Sequence, residues 1–311
     1  MASPQKNPQM FMSVDLEMLQ RLISSIESGD APALSGATAL MRAAQIGNII
    51  EMERLLTQGA NVDQQLPNGY SALMIASEDG QVDAVRVLLE HGADVHLTNN
   101  AGWTSLMVAC LYGRTQVLPL LLTKKSPVNH ERPNKCTALY IASEHGHAVV
   151  AQLLLQHGAD IELADEKGWT PLMAAAWKNH PKVMKMLLEN GADVEKKLFN
   201  GAATLYLTCE KGDLEMARID HPAIVQMLLE RGAIVDKQLP GDGATALYLA
   251  AEYGRLESVR TLINGGASVN LANTQNVTPL MIAEVKGHKR VVSLLKKRGG
   301  KTICEVFVIV P

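Results

Sequence analysis

The side chains able to do chemistry are few and poorly grouped. The chain has nine histidines and four cysteines. The densest cluster is Glu144-His145-Gly146-His147, two imidazoles and a carboxylate that could begin a zinc site. No third or fourth ligand follows at metal spacing, so no metal is expected. Cys110, Cys136, Cys209 and Cys304 show no paired spacing. Cys110 and Cys209 share a repeated column with Ala44, Ser77, Ser143 and Ala176, as small buried spacers would, and such usage fits a reducing compartment. Acid pairs such as Glu78-Asp79 are adjacent along a helix and do not face each other across a cleft. Nucleophile elbow, phosphate-binding glycine loop and zincin helix are all missing from the sequence. The expectation is no catalysis, no cofactor and no metal. What remains is recognition chemistry, carried above all by Trp103, Trp169 and Trp177, all the tryptophans of the chain.

The elements that must position these rings repeat every 33 residues. A turn glycine recurs at Gly36, Gly69, Gly102, Gly168 and Gly201. One apolar column reads Leu40, Leu73, Leu106, Leu139, Leu172, Leu205, Leu247 and Leu280; another reads Ala43, Ala76, Ala109, Ala142, Ala175, Thr208, Ala250 and Ala283. A last column is Gly59, Gly92, Gly158, Gly191, Gly232, Gly266 and Gly299. A fixed period of this length marks stacked units, none able to bury its apolar face alone. The expected fold is an all-α solenoid.

Residues 68–97 show the unit's physics. Asn68-Gly69 makes a turn with positive φ, and Ser71 offers a hydroxyl to the first orphan amides of a helix. Leu73, Ala76 and Ser77 give that helix a narrow face, and Gly80 ends it. A second helix buries Val82, Val85, Val87, Leu88 and Leu89 and stops where Gly92 can take the left-handed conformation. This unit resembles the ankyrin repeat, most closely at Gly168-Trp169-Thr170-Pro171-Leu172-Met173-Ala174-Ala175-Ala176, and the resemblance covers residues 36–300. It implies eight units of two helices and a β-hairpin loop, at 34–66, 67–99, 100–132, 133–165, 166–198, 199–239 with an insertion, 240–273 and 274–300. Residues 1–33 are expected to form a tail and capping helix, amphipathic over 13–28, and 301–311 an apolar tail. That tail packs on the last unit, binds a partner, or marks a chain that continues in a larger protein.

The resemblance implies a protein–protein interaction module, or a scaffold, that binds on its concave hairpin and first-helix surface; the alternative is a fragment of a larger protein whose effector domain is absent. Projected onto this chain, the binding residues are Tyr70, Trp103, Leu111, Tyr112, His145, Trp169, Trp177, Lys178 and Tyr253. Trp103 and Trp169 lie two units apart and would bracket an apolar strip about 20 Å long, with Leu111, Tyr112, His145 and Trp177 on its floor. A tryptophan after the turn glycine can instead pack on the next hairpin, so both uses stand for Trp103 and Trp169. Asn129 and Asn270, each after a valine and eight residues past a leucine, resemble ankyrin asparagines oxidised by asparaginyl hydroxylases, and asparagine also has a structural use in the hairpin.

Departures from the pattern locate weak points. The histidine of the family's first helix is replaced throughout by Met41, Met74, Met107, Tyr140, Met173, Tyr206, Tyr248 and Met281. The third unit carries Pro119 inside its second helix and Lys125 at the C-cap glycine column. The sixth has Ala203 for the capping hydroxyl, Thr208 in the alanine column and eight inserted residues near Asp213–Asp220. The last gathers Lys286, Lys289, Arg290, Lys296, Lys297, Arg298 and Lys301, either a solvated cap or an import or phosphate-binding patch. The net charge of −3 gives no global field for nucleic acid or anionic lipid, and no run of apolar residues is long enough to span a membrane. A monomer in the cytoplasm, with the nucleus as a second location, is expected.

Overall fold

A hydroxyl starts nearly every first helix. Thr38, Ser71, Thr104, Thr137, Thr170, Thr245 and Thr278 sit in extended backbone and accept a bond from the amide three residues on. The computed structural model describes residues 38–210 and 221–302. The capping helix expected at 13–28, Lys211, the insertion Asp213–Asp220, Cys304 and the tail from 303 lie outside the described residues.

Sixteen helices form eight successive pairs among the described residues. The first helices are α1 (Ala39–Ile46), α3 (Ala72–Asp79), α5 (Ser105–Leu111), α7 (Ala138–Glu144), α9 (Pro171–Trp177), α11 (Thr204–Cys209), α13 (Ala246–Glu252) and α15 (Pro279–Val285). The second helices are α2 (Ile49–Thr57), α4 (Val82–Glu90), α6 (Leu118–Thr123), α8 (Ala148–Gln156), α10 (Pro181–Glu189), α12 (Pro222–Glu230), α14 (Leu256–Asn264) and α16 (Lys289–Lys297). First helices stack on first helices and second on second, which makes two layers. The leucine and alanine columns lie where the layers meet, and no member is more than 4% exposed. An alanine there lets helices approach closely. The fold is an all-α repeat solenoid.

Two sets of side chains tie each pair to the one before. The residue ahead of most second helices reaches back to the carbonyl at the end of the preceding pair's first helix. Gln81 Nε2 donates to Gln45 (3.1 Å), Arg114 Nε to Glu78 (2.6 Å), His147 Nε2 to Leu111 (3.0 Å), His180 Nε2 to Glu144 (2.9 Å) and His288 Nε2 to Glu252 (2.8 Å). These bonds satisfy carbonyls that a helix end leaves orphaned. They also explain why a glycine follows some of the first helices that they reach back to. A Cβ on Gly113 or Gly146 would stand 2.6 Å from the next imidazole, besides being strained at φ of 66° or 78°.

The second set lies in the hairpins. Asp63, Asn129, Glu162, Glu195 and Asp236 each accept from a backbone amide of the following unit, and Asn270 from that of Lys301 just past the last unit, at 2.8–3.0 Å. Asn129 and Asn270 also donate, to the carbonyls of Gly158 (3.1 Å) and Gly299 (3.0 Å). A carboxylate cannot make that second bond, which gives asparagine a structural use at these two places.

The weak points are visible. Lys125 takes φ +59°. Ala203 gives no cap bond, and α11 stops after six residues with Glu210 in extended backbone. Pro119 lies within its second helix, as expected, but α6 begins only at Leu118, so the ring falls in the first turn and the helix is six residues long against nine for the others of its layer.

Candidate hairpin and first-helix surface

Trp103 and Trp169 are held in the same way. Asn99 Oδ1 accepts from the Trp103 amide (3.0 Å), and Asp165 Oδ1 from the Trp169 amide (2.8 Å). Their surroundings differ because the next hairpin differs. Arg132 lays its guanidinium 4.0 Å from the Trp103 ring centroid and leaves that tryptophan 6% exposed. The corresponding residue beyond Trp169 is Leu198, which cannot cover an indole in that manner. Trp169 stays half-buried and meets Trp177 edge-on, with centroids 5.5 Å apart and planes at 79°. Tyr70, Trp103 and Leu111 are all buried, so the continuous apolar strip expected between Trp103 and Trp169 is interrupted.

Tyr112 is half-buried near the Glu78 carboxyl, with the Arg114 guanidinium 5.9 Å from its ring centroid. Burial, above all, raises the phenol, and the Glu78 charge adds to it. Glu78 is itself raised, first by desolvation and then by Asp79 against the lowering effects of Tyr112 and Arg114. Beyond it, Glu144 is buried and raised, by desolvation first and with Lys178 opposing. His145 is exposed by surface, yet neighbouring atoms crowd its ring. That loss of water, followed by His147, Lys178 and His180, pushes the imidazole down to about 4. Its ring lies 6.4 Å from that of His147, nearly parallel. Half-buried Tyr253 is pushed up to about 12, by desolvation and then by Glu252 and Glu210.

The structure thus joins Trp169 with Trp177 and sets Lys178 beside His145 and Glu144, while Tyr253 stands apart near Glu210 and Glu252. Trp177 also edges a shallow hollow lined by Leu207, Thr208, Glu210, His221 and Arg255. Phe199, 87% exposed at the tip of the next hairpin, was absent from the expected set. Its ring edge would lie 3.7 Å from a Cβ on Gly168, beside Trp169. The signal was present: the other described hairpins have Pro67, Asn100, Pro133, Glu166, Pro240 and Thr274 in equivalent turns, so a phenylalanine there stands out. Ile46 and Val285, also widely exposed, end the outermost first helices, α1 and α15.

Among the described residues, no group of three His, Cys, Asp or Glu converges as a metal site, and no helix is long and apolar enough to cross a membrane. Cys110, Cys136 and Cys209 are buried and not in disulfides. No curated protein matches the chain. The family described as "Ankyrin repeats (3 copies)" matches at residues 10–99, 40–132, 106–198 and 214–304. With the helix pairs, capped starts and hairpin ties described above, those matches mean that the chain belongs to the ankyrin-repeat family.

Proposed function

We propose that this protein binds a partner protein on its hairpin and first-helix surface, as a monomer and without catalysis of its own. Ankyrin repeats are generally protein–protein interaction modules. The observation that carries the reading here is the Trp169–Trp177 pair, two half-buried indoles in contact on that surface. Tryptophan dominates interface hot spots because a large rigid ring gains burial at little entropic cost. Tyr112 adds an amphipathic ring on the same layer, Lys178 supplies a local positive charge, and the neutral His145 imidazole beside it adds a polar ring. Tyr70, Trp103 and Leu111 support the surface from beneath, since each is already buried. The molecule would work in a reducing compartment, cytoplasm or nucleus.

The test pairs capture with substitution. Partners retained by the wild-type chain are identified by mass spectrometry, and their affinities are measured for Trp177→Ala and Tyr112→Ala. Each is expected to weaken binding by more than about 1 kcal/mol with the helical circular dichroism unchanged. Normal binding by both variants, together with loss on substituting exposed Lys182 and Lys185 of α10, would move the site to the other layer and end this reading.

A further inference from the structure

The molecule's charge is sharply segregated. Residues 284–301 hold seven Lys or Arg and one Asp or Glu, a local charge of +6, whereas the rest of the chain sums to −9. On α16 the positions Lys289, Arg290, Ser293, Lys296 and Lys297 recur at helical spacing and share one face, while Val291 and Leu295 are buried on the other. The strip runs about 12 Å along the axis. Lys296 pairs with Glu284 at 2.8 Å, and Arg298 bonds Asn264 at 3.2 Å. Lys289, Arg290 and Lys297 are exposed, and none has a side-chain hydrogen bond or ion pair among the described residues. At the end of the adjoining α15, four residues before Lys289, Val285 is 80% exposed.

The observations favour a planar anionic partner. Residues 254–302 contain no Phe, Tyr or Trp, so among the described residues the strip has no large aromatic platform on which single-stranded bases could stack. Five of its seven cations are lysines, point charges suited to a diffuse field; reading base edges or phosphopeptides relies on bidentate arginine. Several Lys and Arg on one amphipathic helix, beside a protruding apolar residue, match the surface of a bilayer containing acidic lipids. The described residues before Glu284 hold 18 Lys or Arg and 23 Asp or Glu, a charge of −5 along the stack away from this last pair, so repulsion would turn them outward. We propose that α16 is a peripheral attachment site for an anionic membrane surface, separate from the partner surface around Trp177.

Sedimentation of the full chain with vesicles tests this. Wild type should pellet with phosphatidylcholine–phosphatidylserine vesicles, stay free with phosphatidylcholine alone, and be released by high salt. Each cation removed should lower partition about fivefold, so the combined Lys289→Gln, Arg290→Gln, Lys297→Gln variant should fall about a hundredfold. Glu284→Gln, which frees Lys296, should instead raise it several-fold, an effect loss of fold at α16 would not produce. Trp177→Ala should leave partition unchanged. The proposal is overturned if wild type ignores acidic vesicles, if the triple variant still pellets, or if Trp177→Ala abolishes pelleting. Capture of duplex DNA without vesicle binding would likewise overturn it and give the strip to nucleic acid.

Discussion

Lys125 and Ala203 each occupy a place that every described counterpart fills with a better residue. Lysine at φ +59° costs roughly 1 kcal/mol where glycine would cost little. Ala203 has the same extended backbone as the threonines of its column but no oxygen to offer the amide of Tyr206. Lys125→Gly and Ala203→Thr should each raise the midpoint of urea unfolding, the second by about 1 kcal/mol. A lower midpoint for both would mean that these residues do not belong to the cap columns. His145 makes a pH prediction. Its imidazole titrates near 4 in the folded chain against an unfolded value of about 6.5. The unfolded state therefore takes up the proton first, and this residue's contribution is present above about 6.5 and lost as pH falls toward 4. Glu144 acts in the opposite sense, because its raised carboxyl favours the folded state on acidification. Comparing wild type with His145→Gln isolates the histidine: the variant should lose less stability between pH 7 and pH 5, and parallel curves would refute the assignment.

Among the elements, α11 should open first. It is uncapped and six residues long, and it carries Thr208 where other pairs place alanine, except that Thr208 Oγ1 finds the Leu205 carbonyl at 2.8 Å. In a stack coupled only through neighbours, a weak unit exchanges ahead of its surroundings. Amides of residues 204–209 should lose protection faster than those of 138–144 by hydrogen exchange; equal rates would contradict the idea. Much of this was legible in the sequence, since capping threonines, leucines and alanines keep their type from unit to unit. The residues that tie the units together do not. Gln81, Arg114, His147, His180 and His288 share only a donor aimed at a carbonyl 36 residues earlier, and no common side chain announces it. Lys135, Asn179 and Asn276 adopt left-handed backbone where other units use glycine, so a glycine column read alone passes over them. Pro119 moved the start of α6 because a proline settles in a first turn, which a fixed repeat length does not anticipate.

Across the whole molecule, the repeat that made the fold readable also hid the site. Identical spacing places Trp103 and Trp169 alike, and only the residue one hairpin further on, Arg132 or Leu198, decides which ring is covered. That difference has an optical consequence. Indole emission moves to shorter wavelength as water leaves the ring. Trp103, dry beneath its guanidinium, is a built-in reference, while the perpendicular pair Trp169 and Trp177 is positioned to report. A partner landing on that pair should shift the intrinsic fluorescence to the blue in the wild type and produce a smaller shift in Trp177→Ala. Arg132→Ala should redden the resting spectrum by wetting Trp103, without touching the bound-state change. The protein carries its own binding sensor, two indoles read against a third.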